Sequence, residues 1–259
     1  MAFPEPNADV AVAIVRDDGE IFVVDKTSGR VTMPGAGHAR DSVQNGVMAV
    51  AGERLRHLGA ARDYGLLHRL DRASSGLLLF AQTVPAYEGL RGSFHKREVV
   101  KDYLAITARV PERPRGSIRA RLAEVRTHDR KLARIDARGK AAVTHFKVLC
   151  RGHDGTALVE CRIETGRLHQ IRAHLASIGA PLLGDLVYTP SSPDGRASVA
   201  RQADRAILLH AWRLAFPHPV QGNRVKLEAP LPARFRKALT AHGLKLPSPT
   251  KRGLLPSRG

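Results

Sequence analysis

The chain has 259 residues, 43% of them hydrophobic, which allows one large domain or two small ones with a sizeable core. Lys and Arg number 42 against 24 for Asp and Glu, and the formal net charge of +18 points to a polyanionic partner; phosphate neutralisation with counterion release drives much of nucleic-acid binding. Aromatic residues make up only 5%, which argues against a platform that stacks single-stranded bases.

Residues 1–8 read as a short flexible lead. Segments 11–15 and 21–26 read as a strand pair around Asp17-Asp18-Gly19, a hairpin signal. Residues 42–58 predict a helix that stops near Gly59. A loop over 63–75 leads into an apolar strand at 76–81, then a helix at 85–97 and a strand at 99–110. Residues 113–139 are polar and basic, and read as short strands with a long insertion loop. Strands follow at 142–150 and 157–163, and a helix at 167–178 closed by Gly179. Later strands are expected at 206–209, 213–216 and 225–228, and a last helix at 232–242. Residues 245–259 hold three prolines, four cations and no acid, and read as a flexible basic tail. Strand pairs mixed with helices predict a domain over residues 9–244 built on a mixed sheet with flanking helices.

Some classes of function are disfavoured at once. No apolar run approaches a membrane span and the N-terminus shows no signal-peptide pattern, so a cytoplasmic protein without membrane contact is expected. Cys150 and Cys161 lack metal-type spacing and lie in apolar strand-like segments, as core thiols do. His169 and His174 are five apart, which misses the spacing of a helical metal pair. No metal and no cofactor motif is found, and a phosphate-loop reading of Gly35-Ala36-Gly37 fails for want of the Gly-Lys-Ser/Thr ending.

The most informative stretch is His68-Arg69-Leu70-Asp71-Arg72-Ala73-Ser74-Ser75-Gly76, followed by the apolar Leu77-Leu78-Leu79-Phe80. It puts a carboxylate between arginines at the lip of a buried strand, a setting for a nucleophile or an electrostatic catalyst. A surface Asp in a turn fits this stretch equally well. A second stretch runs Gly166-Arg167-Leu168-His169-Gln170-Ile171-Arg172-Ala173-His174-Leu175 and leads through Gly179-Ala180-Pro181-Leu182-Leu183-Gly184-Asp185 to Tyr188. Lys101-Asp102-Tyr103 lies between the two. In strand geometry Lys101, Tyr103 and Ala105 share one face and Asp102, Leu104 and Ile106 the other, so Tyr103 can look into a cleft. On a helix Leu168, Ile171 and Leu175 form an apolar stripe with Arg172 at its edge, and a guanidinium drawn toward a core needs a carboxylate.

Together these motifs, with Val24-Asp25-Lys26-Thr27-Ser28-Gly29 and Leu209-His210-Ala211, resemble the RluA-type pseudouridine synthases over roughly residues 10 to 230. The resemblance implies the pseudouridine synthase fold, an α+β domain with a long mixed, mostly antiparallel sheet, flanking helices and a central RNA-binding cleft. It implies isomerisation of uridine in structured RNA, ribosomal or transfer, without a cofactor. Asp71 corresponds to the family's essential catalytic residue, which adds to the ribose, adds to the uracil, or assists elimination at the sugar. Arg172 corresponds to the cation that holds this carboxylate, and Tyr103 to the residue that stacks on the flipped base and takes part in proton transfer. Arg69 corresponds to the residue that fills the vacated space in the RNA. His68, Lys101, Arg167, His169 and Gln170 are expected to shape the cleft and its RNA contacts. A monomer without the small accessory RNA-binding domain of many relatives is expected. Ser74 stands for the usual Thr, Thr27 for a Pro and Gln82 for a common Lys; none of these removes a catalytic candidate. The alternative is a non-catalytic RNA-binding or ribosome-assembly protein with the same fold, against which the intact Asp71, Tyr103 and Arg172 speak.

Overall fold

The computed structural model describes residues 3–127, 131–189 and 207–246. Ten strands are present among them: β1 (Ala13–Asp17), β2 (Ile21–Lys26), β3 (Ser75–Ala81), β4 (Val100–Thr107), β5 (Arg115–Arg126), β6 (Lys131–Ile135), β7 (Lys140–Arg151), β8 (Ala157–Ile163), β9 (Leu209–Pro217) and β10 (Arg224–Glu228). The α-helices are α1 (Val43–Leu55), α2 (Val84–His95), α3 (Gln170–Ser177) and α4 (Ala233–Ala241). The chain divides into two compact units, Met1–Val100 with Ala211–Pro230, and Lys101–His210 with Leu231–Gly259.

In the first unit the strands run in the order β1-β2-β3-β9, with β10 against β9. The β1–β2 turn forms where expected, because Asp18 Oδ1 accepts from the backbone N–H of Glu20 (3.1 Å) and Ile21 (2.9 Å). β3 is buried along its whole length, as a continuous apolar run should be. Helix α1 starts at a capping box in which Ser42 and Asn45 exchange side-chain-to-backbone hydrogen bonds. Residues of the expected N-terminal lead pack here as well. Asn7 N–H donates to Asn45 O at 3.0 Å, and the Phe3 ring meets Tyr64 edge-on at 5.2 Å.

The second unit has the order β4-β8-β7-β5-β6, and its strand pairs are antiparallel. The basic region 113–139 forms the long β5–β6 hairpin rather than short strands around a loop; residues 128–130 fall outside the described set. Its alternating pattern explains this: Ile118 and Leu122 are buried while Arg115, Ser117, Arg119 and Arg121 are exposed. Helix α3 begins at Gln170 rather than 167, because His169 takes a left-handed backbone (φ 47°) that no helix propagates. The expected strands 206–209 and 213–216 are one strand, since the residues between them carry no turn signal. Most of the basic tail, residues 247–259, lies outside the described residues, as do 190–206.

Candidate active site

The loop that carries Asp71 is held by its backbone. Thr32 Oγ donates to Leu70 O at 2.8 Å and accepts from Leu70 N–H at 3.1 Å. Ser74 N–H donates to Asp71 O (3.1 Å), and Ser28 Oγ to Ala73 O (2.6 Å). Arg72 O receives Gly29 N–H (2.8 Å) and Lys26 Nζ (3.2 Å), while Arg72 Nε returns a bond to Gly29 O (3.0 Å). Every carbonyl from Leu70 to Ala73 is thus engaged, three of them by the turn that follows β2. Half-buried Asp71 stands on a rigid frame.

Lys26 is buried at the centre of this frame, with 1% of its surface exposed. Its ammonium donates to the carbonyls of Thr27 (2.9 Å) and Arg30 (2.7 Å) as well as Arg72. Burial lowers its pKa to about 7, and the negative charge of Asp71 opposes that shift. Gly76, just after the loop, has φ 112°, and a Cβ there would lie 2.2 Å from Ala211 O. The motif's glycine is therefore required by the neighbouring backbone of β9.

His68 and Arg69 behave differently from each other. His68 Nε2 accepts from Leu79 N–H at 3.3 Å and its ring sits 5.8 Å from that of Phe94. It serves to fix the start of the loop. Arg69 is exposed, with Nη1 3.9 Å from Met33 Sδ.

In the second unit Tyr103 is buried on β4, directly opposite Cys161 of β8, which in turn faces Phe146 of β7. Burial raises the pKa of the Cys161 thiol far above its ordinary value, so that it is an inert core group. Lys101 shares the face of Tyr103, and desolvation lowers its pKa to about 8. Asp102 points to the other face, where Arg162 holds it with bonds of 2.7 and 3.0 Å.

Arg172 on α3 is buried, with 2% of its side chain exposed, and its carboxylate partner within this unit is Asp185. Nε donates to Asp185 Oδ2 at 2.7 Å and Nη2 to Oδ1 at 3.0 Å, a two-pronged contact that leaves Nη1 outside the pair. Asp185 Oδ1 also accepts from Val187 N–H at 3.1 Å, and the guanidinium lies 5.1 Å from the centre of the Tyr188 ring. The Tyr188 hydroxyl accepts from Ala133 N–H (2.8 Å), and its proton can go to His169 Nδ1 (3.0 Å).

Gln170 is buried, and its amide is spent on the fold. Oε1 accepts from Thr165 Oγ (2.7 Å) and Arg167 N–H (3.1 Å), while Nε2 donates to Val143 O and Thr144 Oγ, both at 3.0 Å. These bonds hold the start of α3. Arg167 is exposed, and its Nε donates to Ala141 O at 3.3 Å. His174 is buried against Thr144 Oγ at 2.9 Å, and desolvation lowers its pKa. Among the described residues no group of three or more His, Cys, Asp or Glu side chains could hold a metal ion.

Sequence reasoning missed Asp185, Tyr188, Thr32 and Lys26 as parts of this machinery. Three of them stood inside the quoted motifs. Asp185 carried the clearest signal: a buried arginine requires a carboxylate, and an acid follows Gly184 at the end of an apolar stretch.

Comparison with known proteins agrees with this architecture. Residues 20–177 match the family model described as RNA pseudouridylate synthase. A Zymomonas mobilis protein named ribosomal large subunit pseudouridine synthase D is 37% identical over 232 residues, 89% of this chain and 72% of that protein. A protein of the same name from Neisseria meningitidis is 38% identical over 88% of this chain, which spans 60% of its length. The Bacillus subtilis uncharacterized RNA pseudouridine synthase YlyB is 38% identical over 88% of this chain and 74% of its own. In fold, the chain is similar to the solved structure of human RNA pseudouridylate synthase domain containing 4, with a TM-score of 0.68, 24% identity, and coverage of 91% of this chain and 95% of that one. The match over more than half of the chain shows its kinship: it belongs to the RNA pseudouridylate synthases, isomerases with an α+β fold.

Proposed function

We propose that this protein converts uridine to pseudouridine in ribosomal RNA of the large subunit, with Asp71 as catalytic nucleophile. The substrate is taken from the names of the relatives, which match it over nearly nine-tenths of its length. The reaction breaks the bond between base nitrogen and ribose, turns the base, and rejoins it through carbon. Asp71 supports this reading because a frame of hydrogen bonds fixes its loop while the residue is only half-buried. Arg172 supplies the guanidinium that pairs with the catalytic carboxylate, itself oriented by Asp185. Tyr103 supplies a ring to stack on a flipped uracil and a phenol for proton transfer. Lys101, Arg69, Arg167 and His169 contribute to RNA contact, with His68 and Gln170 as positioning residues, and residues 9–244 make up the catalytic domain.

The bond frame around Asp71 is the single observation that carries the assignment: a nucleophile must be held in place without being covered. Nucleotide-resolution pseudouridine mapping of RNA from cells with and without the gene tests it. The expected result is one or more sites in large-subunit RNA that vanish on deletion and return with the wild-type gene. Sites in transfer RNA alone would move the substrate, and no lost site would favour a non-catalytic assembly role.

A further inference from the structure

We propose that the open face of the β5–β6–β7 sheet, the face turned away from Tyr103, binds the phosphate backbone of a double-stranded segment of the RNA substrate. This rests on the reading of the protein as an RNA-modifying enzyme, and adds a second contact surface to it.

Strand register places the surface. Directly opposed residues of antiparallel strands share a face. Tyr103, Cys161, Phe146 and Gly116 make one such transverse row, on the face where α3 packs through Ala173 against Leu122, Ala133 and Ala142. Asp102, Arg162, His145 and Ser117 make the adjacent row, on the other face. Side-chain bonds confirm the assignment: Arg162 holds Asp102 at 2.7 Å, and His145 bonds to Ser117 Oγ at 2.6 Å. Along β5 this second face continues through Arg115, Arg119 and Arg121, all exposed, and Arg134 joins it opposite Ala123.

The chemistry of the face selects its partner. The acids beside it are already engaged, Asp102 by Arg162 and Glu164 by His145, both at 2.7 Å, and Asp136 by Arg134 and Arg138, both at 3.5 Å. Among the described residues neither Arg115 nor Arg119 has a carboxylate partner. The charges of Arg115 and Arg119 are therefore not cancelled locally, and Asp136 is shared between two arginines. From Arg115 to Arg121 the strand rises about 20 Å at ~3.3 Å per residue. A DNA duplex carries one phosphate charge per ~1.7 Å of axis with both strands counted, and an RNA duplex is comparably dense, so roughly a dozen charges lie within the length of such a row, those on the near side within its reach. The exposed positions of this stretch of β5 and its β7 partners carry no aromatic ring: Ser117 and Ala141 accompany the arginines, and the half-buried His145 ring is held by Ser117 Oγ and Glu164. Single-stranded bases would need rings to stack on, whereas a helix is held by phosphate contacts and shape. Guanidiniums suit that task because their fork pairs with phosphate oxygens.

The test uses the full-length protein, a 30-base-pair RNA duplex as binding probe, and the triple variant Arg115→Gln/Arg119→Gln/Arg134→Gln. Arg121 is left in place because its Nε donates to Gly139 O at 2.8 Å and holds the β6–β7 turn. The variant should melt as wild type does, and the slope of log affinity against log salt should shrink by about 2–3. The matching triple Lys variant should keep the wild-type slope, as a charge role requires. Single-turnover pseudouridine formation at saturating RNA should remain at the wild-type rate, because these side chains face away from Tyr103. An unchanged slope in a folded triple variant would overturn the proposal. So would an unchanged slope coupled to lost binding of phosphatidylserine vesicles, which would make the face a membrane contact. A wild-type protein that makes no pseudouridine anywhere would refute the proposed activity, while the slope comparison would still decide the surface.

Discussion

At the scale of single residues the account turns on side chains whose surroundings constrain what they can do. Tyr103 is buried on its strand with its ring on the face of Lys101, and two tasks are proposed for it. Tyr103→Phe keeps the ring and removes only the hydroxyl, whereas Tyr103→Ala removes both. Proton transfer by a positioned side chain typically gives roughly 10²–10⁴-fold in rate, and stacking on a base about 1–3 kcal/mol. The Phe variant should bind RNA as wild type does and turn over at least ~100-fold more slowly. A near-wild-type single-turnover rate for Phe would confine the residue to stacking. Lys26 makes a different kind of prediction. Its pKa is about 7 in the folded chain because burial disfavours its charge. An amine depressed in this way costs stability below about pH 7, and the cost fades as pH rises toward the unfolded value near ~10.4. Wild-type stability should therefore gain about 2 kcal/mol from this residue between pH 7 and 9. Lys26→Met should lack that gain in urea denaturation at the two pH values; parallel pH profiles for the two proteins would contradict it.

At the scale of elements, α3 and the segment after it act together through the Arg172–Asp185 pair, fully buried on both sides. Breaking such a buried pair by removing one partner costs about 3–5 kcal/mol. Arg172→Met and Asp185→Asn should each destabilise by that order, and the double variant should lose markedly less than the sum. Additive losses in denaturation would show that the two side chains do not depend on each other. This pair also shows where sequence reading stops. The apolar stripe of Leu168, Ile171 and Leu175 placed Arg172 at a core edge, and the need for a carboxylate was legible from that alone. That Asp185 takes part was not read: it lies beyond α3, and its approach depends on a turn whose geometry no spacing rule supplies. The start of α3 was misplaced for a related reason. Periodicity counts Leu168 as helical, but the left-handed His169 breaks the run, and left-handed backbone at a non-glycine residue leaves no mark in composition. The β5–β6 hairpin was hidden by charge. Its exposed face is so basic that the alternation of Ile118 and Leu122 was read as short strands around a long loop. Continuous apolar strands such as β3, and turns with Asp or Gly at fixed positions, were read correctly because their signal is local.

At the scale of the whole molecule, a net charge of +18 and a family of RNA isomerases belong together. Charge supplies sequence-independent attraction to RNA, and the fold supplies the positions at which a base can be recognised. Among the described residues no helix is long and apolar enough to cross a membrane. The ordered motifs were legible from the sequence because they are short and carry rigid backbone demands, such as the Gly76 position that Ala211 O forbids to any side chain. The central claim is that Asp71 carries the chemistry while its loop is held by other groups. The measurement that meets it most directly is single-turnover pseudouridine formation by purified Asp71→Asn on an RNA validated by mapping, alongside its affinity for that RNA. The change is isosteric, and the bonds that hold the loop run through backbone atoms that it does not alter. The account predicts no detectable pseudouridine with RNA affinity within a few-fold of wild type. Appreciable turnover by the folded variant would contradict it.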